Sequence, residues 1–373
     1  GATLTIANSQ AFDLDVYGTV NNAGGITPTG NIRFRGSSTY NHTRDGGTVP
    51  AANWNINSNC NITGVTDIAP TGFNQTFGYL TWNCPGQNGR IYLQSNITIL
   101  SDFTVLATGP SLVPGTYSLR MSDTGSGYTI TVGGNFLVDN LGTFKMNNGG
   151  GSCVMVVNGD FTIGTGNFTI STGPANSILT VGGDVLINGG TLIPQEDDYS
   201  PAVSGTMFAQ GDFTITGGTI LENGNVTITI TFNIGSTQVY SNTVGTFTGN
   251  IDLNVTAGTV LDMGTSIIEG DGTFTLGATC GIITAHVDGL STTAATGSIQ
   301  STGAKSLNSV ADYTYDGTAA QVTGNALPAT VRDLTIDNTN GVTLTSGTSV
   351  DRTLDLTSGN LILQANTLTI NNA

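Results

Sequence analysis

Gly134-Asn135-Phe136-Leu137-Val138, Gly159-Asp160-Phe161-Thr162-Ile163 and Gly183-Asp184-Val185-Leu186-Ile187 are three copies of one phrase: Gly, then Asn or Asp, then an alternating strand-like triplet. A fourth copy is Gly211-Asp212-Phe213-Thr214-Ile215, and the successive glycines are 25, 24 and 28 residues apart. Weaker copies stand at Gly166-Asn167-Phe168-Thr169-Ile170, Gly224-Asn225-Val226-Thr227-Ile228 and Gly272-Thr273-Phe274-Thr275-Leu276. Towards the C-terminus the beat shortens. Asp333-Leu334-Thr335-Ile336 and Thr353-Leu354-Asp355-Leu356 lie 20 apart.

A fixed period of this length, carried by phrases of strand length, is the mark of a solenoid. In Thr367-Leu368-Thr369-Ile370 the two apolar residues fall on one face and the two Thr on the other, the period of a half-buried strand. The phrases are too short for helices, and Gly-Gly, Asn-Gly and Asp-Gly turns punctuate them. The chain therefore reads as all-β, a right-handed parallel β-helix (β-solenoid). Short strands stack coil on coil, inward Val, Ile, Leu and Phe form a continuous core, and Gly takes the corners where φ > 0 is needed. At about 22 residues per coil the chain makes roughly 17 coils, on the order of 80 Å of stacked strands.

Composition agrees. Gly supplies 53 of 373 residues and only 9% are charged, against about 7% Gly and about 25% charge in ordinary soluble domains. With 38% hydrophobic residues the chain is not a charge-driven disordered one. Gly lacks the every-third period of collagen, and the residues of helical bundles are scarce. Acidic residues outnumber basic ones 25 to 9, for a net charge of −16, and the only lysines are Lys145 and Lys305. That excludes a basic nucleic-acid-binding patch and disfavours an anionic membrane surface. No stretch has the roughly 18 apolar residues of a membrane helix. The chain opens in strand pattern at Thr3-Leu4-Thr5-Ile6, with no signal peptide, which reads as a processed product or a segment of something longer.

Three regions follow. Residues 1–35 read as first coils, 36–125 as a less regular, loop-decorated part of the same solenoid, and 126–373 as regular coils. The middle region holds Tyr40, Trp54, Phe73, Phe77, Tyr79 and Trp82, with Pro50, Pro70, Pro85, Pro110 and Pro114 marking excursions; a small separate β-sandwich is the alternative there. Cys60 and Cys84 flank its aromatic stretch and read as a disulfide, with two buried thiols as the alternative. Cys153 and Cys280, 127 residues apart, are several coils distant at ~4.8 Å each, too far to bridge, and read as small buried residues.

Two blocks carry a resemblance. One is GSSTYNHTRDGGTVP at 36–50, continuing to FGYLTWNCPG at 77–86; the other is YDGTAAQVTG at 315–324 with LPATV at 327–331 and LTIDN at 334–338. With the Gly-Asn/Asp-Phe-Thr-Ile phrases, they make the chain similar to the large repetitive surface proteins of the Bacteroidetes exported by the type IX secretion system. The resemblance implies an extracellular, cell-surface location and a β-rich shaft, and it implies no catalytic residues. The sorting domain expected at the C-terminus of such cargo is not in this sequence.

Candidate sites are few. Glu196-Asp197-Asp198 lies in a polar excursion between Pro194 and Pro201, and Asp13 and Asp15 share a strand face. Either set can bind Ca²⁺ weakly, although a solvated acidic surface explains both more simply; no other cofactor is implied. Arg33 and Arg35 share a face and either clamp a sugar carboxylate or simply point outward. His42 and His286 are isolated and read as surface or turn residues. Tyr40, Trp54, Tyr79 and Trp82 form either a sugar-stacking platform or a buried cluster. Thr129-Ile-Thr131, Thr214-Ile-Thr216, Thr227-Ile-Thr229-Ile-Thr231 and Thr273-Phe-Thr275 suit wet strand faces, with an ice-binding lattice as the sharper alternative. The two ends match in pattern, so Leu4, Ile6, Leu368 and Ile370 are candidates for end-to-end contact. The expected role is a non-enzymatic structural or adhesive β-helix that forms or projects a stiff surface fibre, with other copies, neighbouring repeats or surface glycans as partners. A polysaccharide-binding or polysaccharide-cleaving β-helix is the runner-up.

Overall fold

A computed structural model describes residues 2–110, 117–123, 125–147, 150–172, 175–195, 205–222 and 228–371. The chain is all-β, with no helix among the described residues, and its parallel strands stack as a β-solenoid of about 15 turns. Contacts divide it into two compact units, Gly1–Thr206 and Met207–Ala373.

In the first unit a coil has three sides. From Thr129–Val132 on the first side the chain passes to Phe136–Leu141 on the second and Thr143–Lys145 on the third, then returns to the first at Val154–Val157. The repeated phrase is the second side. Phe136 lies over Phe161 and Phe161 over Val185, while Val138, Ile163 and Ile187 form the next inward column. The copy at Gly166 is a third-side strand, in register with Phe144 before it and Leu192 after it. Residues 36–125 carry the same parallel ladders: Thr39–His42 stacks on Asn59–Ile62, and that strand on Tyr79–Asn83.

Inward alternation builds the core. Phe103, Phe136 and Phe161 are buried and stack with ring centroids 5.0 and 5.4 Å apart, close to the spacing of the strands that carry them. Phe144 and Phe168 form a parallel column 5.8 Å apart and meet the first edge-on, the geometry aromatic quadrupoles favour.

The Gly-Asn/Asp half of the phrase is a corner device. Asp102 Oδ1 accepts from Asn135 N–H at 2.8 Å, Asn135 Oδ1 from Asp160 N–H at 2.8 Å, and Asp160 Oδ1 from Asp184 N–H at 2.9 Å. Each side chain thus ties its corner to the backbone of the next coil. Positive φ is found at other glycines, such as Gly235 and Gly258, but Gly134, Gly159 and Gly183 are not among the positive-φ positions. Close approach is the reason instead. A Cβ on Gly159 would stand 2.4 Å from Asn135 Oδ1 and 2.7 Å from Gly134 O, and one on Gly183 2.4 Å from Asp160 Oδ1.

The second unit repeats the principle with a shorter beat. Asp312–Tyr315 pairs with Thr330–Thr343, and that strand with Thr348–Ile362, so that Leu334 lies over Leu354 and Ile336 over Leu356. Its outer face carries ion pairs from coil to coil: Arg332 Nε and Nη2 grip Asp312 at 2.7 and 2.5 Å, and Arg352 takes Asp333 in the same two-pronged way.

Candidate functional site

The proposed Cys60–Cys84 disulfide does not form; both are buried free thiols. Register is the reason. Leu80, not Cys84, lies over Cys60, and the Cys84 thiol reaches the Ile62 carbonyl at 3.3 Å. Four residues of largely extended chain, roughly 10 Å or more, separate Cys84 from the place a bridge requires. Cys153 and Cys280 are also buried free thiols.

The aromatic residues do not make a platform. Tyr40, Trp54 and Trp82 are buried and only Tyr79 is half-buried. Trp54 stacks on Phe34 at 4.1 Å, with Tyr40 edge-on. Both indoles are committed: Trp54 Nε1 donates to Gln75 Oε1 at 2.8 Å and Trp82 Nε1 to Gln87 Oε1 at 3.1 Å.

His42 is not at the surface. It is fully buried at the centre of a polar chain in which Asn22 Nδ2 donates to Tyr40 Oη, Tyr40 Oη meets His42 Nδ1 at 3.1 Å, and His42 Nε2 meets the Gly46 carbonyl at 2.8 Å. Because a carbonyl can only accept, Nε2 carries the proton and Nδ1 accepts from Tyr40. Burial holds the imidazole pKa below its ordinary value. His286 is a turn residue whose Nδ1 accepts from Asp288 N–H.

The acidic and basic candidates of the first coils satisfy one another. Arg33 and Arg35 each place Nε and Nη2 on the Asp15 carboxylate at 2.6–2.9 Å, and these bonds, that from Arg33 first, hold Asp15 well below the usual carboxylate range. The Nε–Nη2 edge of each guanidinium is thus occupied by Asp15, a partner within the chain. Asp13 accepts from the backbone of Ser9, Gln10 and Asn31. The Glu196-Asp197-Asp198 site lies outside the described residues. A groove of about 390 Å³ runs along the corner ladder past Asp102, Thr104, Asn135, Leu137, Asp160 and Thr162, but Asp102, Asn135 and Asp160 each spend an oxygen on the backbone above.

Two features are not evident in the one-dimensional pattern. Arg120 and Lys145 are buried on neighbouring coils in register, with Arg120 Nε donating to Ser118 Oγ at 2.8 Å. Asp316 is pushed above the usual carboxylate range by burial and then by Asp262 and Asp337, and its Oδ1 accepts no hydrogen bond from the described residues.

The most distinctive surface is the last coil. Ile336 and Val350 are fully buried, yet the residues stacked on them, Leu356 and Ile370, are 51% and 44% exposed. Leu354 and Leu368 are half-buried and Leu363 is exposed. These positions are in core register, and among the described residues no coil lies over them. At the first coil Leu4 is exposed above buried Ile26, whereas Ile6 is itself buried. The 20-residue beat that aligns Leu354 and Leu356 with Leu334 and Ile336 already carried the signal for this surface. Comparison with protein-family models, curated proteins and solved structures finds no match to this chain.

Proposed function

We propose that the chain is a structural element of an extracellular, cell-surface fibre and acts mechanically, without catalysis. One observation carries the reading: in the last described coil, side chains in core register stand exposed beside strand edges that no described strand pairs. Aliphatic columns ending in exposed Leu356 and Ile370 match the inward columns of another coil of the same kind, from a second copy or a neighbouring repeat. Such a head-to-tail contact does not close and so generates filaments. Within each unit, stacked aromatic columns, corner carboxamide and carboxylate bonds, and arginine forks all run from coil to coil, along the direction in which a fibre bears load. The carboxylates of Asp15, Asp312 and Asp333 are spent on these contacts, which supports a mechanical over a hydrolytic role.

Sedimentation and electron microscopy of the purified chain across a concentration series test the proposal. Filaments are expected to grow with concentration and to disappear in Leu356→Lys, which places a charge in the contact. A chain that stays monomeric at every concentration refutes it.

A further inference from the structure

The first side of the first unit presents an outward lattice. Its register runs Thr76, Thr98, Thr131, Val156, Thr180 over five successive coils. Two residues earlier in each strand a second column runs Thr129, Val154, Ile178, preceded by Asn96, whose Oδ1 accepts from Thr129 N–H at 2.8 Å. All nine side chains are exposed or half-buried, while the alternating Ile97, Ile99, Ile130, Val132, Met155, Val157, Leu179 and Val181 are buried. Neither column contains an Asp, Glu, Lys or Arg, on a chain of net charge −16.

Geometry makes this face unusual. Seven of the nine residues are Thr or Val, and the eighth is Ile. Branching at Cβ restricts each to few rotamers, and the ladders beneath hold the backbone. Methyl and hydroxyl groups therefore stand on a grid of about 4.8 Å between coils and about 6.6 Å along each strand. Of the Thr-x-Thr phrases that stand out in the sequence, Thr129-Ile-Thr131 gives both its threonines to this grid, whereas Thr214 belongs to the strand paired with Thr237–Asn242 and Thr229 stacks on Asp252. The other threonines of the grid, Thr76, Thr98 and Thr180, come singly from their coils.

We propose that this face binds ice. Its partner must be uncharged, because charged side chains are confined to other columns, and periodic on a scale of a few ångströms, because the functional groups are. The hydrogen-bonded oxygen lattice of ice meets both conditions. Hydroxyls hold water at lattice positions, and the methyls between them order the layer without competing for hydrogen bonds. A charge would instead impose its own hydration shell. Val156 within the threonine column fits, since its methyl replaces a hydroxyl at the same site.

Ice-recrystallisation inhibition and thermal hysteresis of the full chain test the proposal, with folding of every variant checked by its thermal melt. The wild-type chain is expected to slow recrystallisation. Thr131→Lys and Thr98→Lys, at two different coils, are expected to abolish the effect. Thr131→Val keeps it, and Thr162→Lys, outward on another side of the same unit, leaves it unchanged. A wild-type chain without effect on ice growth overturns the proposal, as does equal loss in Thr162→Lys. So does retention on crystalline cellulose or chitin that Thr131→Lys removes while ice growth is untouched. None of these outcomes depends on filament formation, which Leu356→Lys addresses separately.

Discussion

Phe136→Ala tests the register on which every placement above depends. Phe136 is fully buried, with Phe103 and Phe161 stacked at 5.0 and 5.4 Å and the edges of Phe144 and Phe168 at 5.4 and 5.7 Å. Truncating such a ring costs about 3–5 kcal/mol. Four aromatic partners, each worth about 0.5–1.5 kcal/mol beyond area burial, place the cost near the top of that range. For a unit the size of Gly1–Thr206, each kcal/mol lowers Tm by about 2–4 °C, so a loss near 5 kcal/mol predicts a fall of about 10–20 °C. Leu137, the next residue, points outward and is half-buried. Leu137→Ala is expected to cost about 1 kcal/mol and a few degrees. Calorimetric or circular-dichroism melts measure both. Because a one-residue slip turns every side chain of a strand to the other face, an effect of Leu137→Ala that equals or exceeds that of Phe136→Ala would refute the assigned alternation.

The remaining predictions concern buried titratable groups. Burial pushes the Cys84 thiol up to about 12 and raises that of Cys60 further, so a thiol reagent at mild alkaline pH is expected to leave both unreacted in the folded chain and to count four thiols after unfolding. Fewer than four would restore the disulfide. His42 titrates below its ordinary value of 6.5 when folded, so the unfolded chain takes up the proton first. Its stabilising contribution is complete above 6.5 and is lost as pH falls from there to the lower folded pKa. His42→Gln removes that titration. Melts of the two proteins between pH 7.5 and 5 are therefore expected to diverge, the wild type losing more stability than the variant, and parallel curves would show that His42 does not titrate as its burial requires.

The solenoid was legible because its cause is local and repeated. Phe136, Phe161 and Val185 occupy one place in one phrase, and alternation shows which way they face. Other features depend on what the neighbouring coil brings, and there the sequence alone was insufficient. Trp54 and Trp82 look like ligands until Gln75 and Gln87 are found against their indole nitrogens. His42 looks isolated until Tyr40 and Gly46 close around it. Arg33 and Arg35 look available until Asp15, nearly one coil earlier, is seen to fill both forks.

By itself the sequence determined that strands of this chain alternate, recur and stack, because hydrophobic period and turn residues act within a few positions along the backbone. Only the tertiary structure decided which coil position lies over which. A shift of a few residues in coil length separates Cys84 from Cys60, aligns Thr76 with Thr98 and Thr131, and sets Leu356 over Ile336. Those contacts are set by register between segments about 20 to 33 residues apart, a distance at which no local rule of side-chain preference operates.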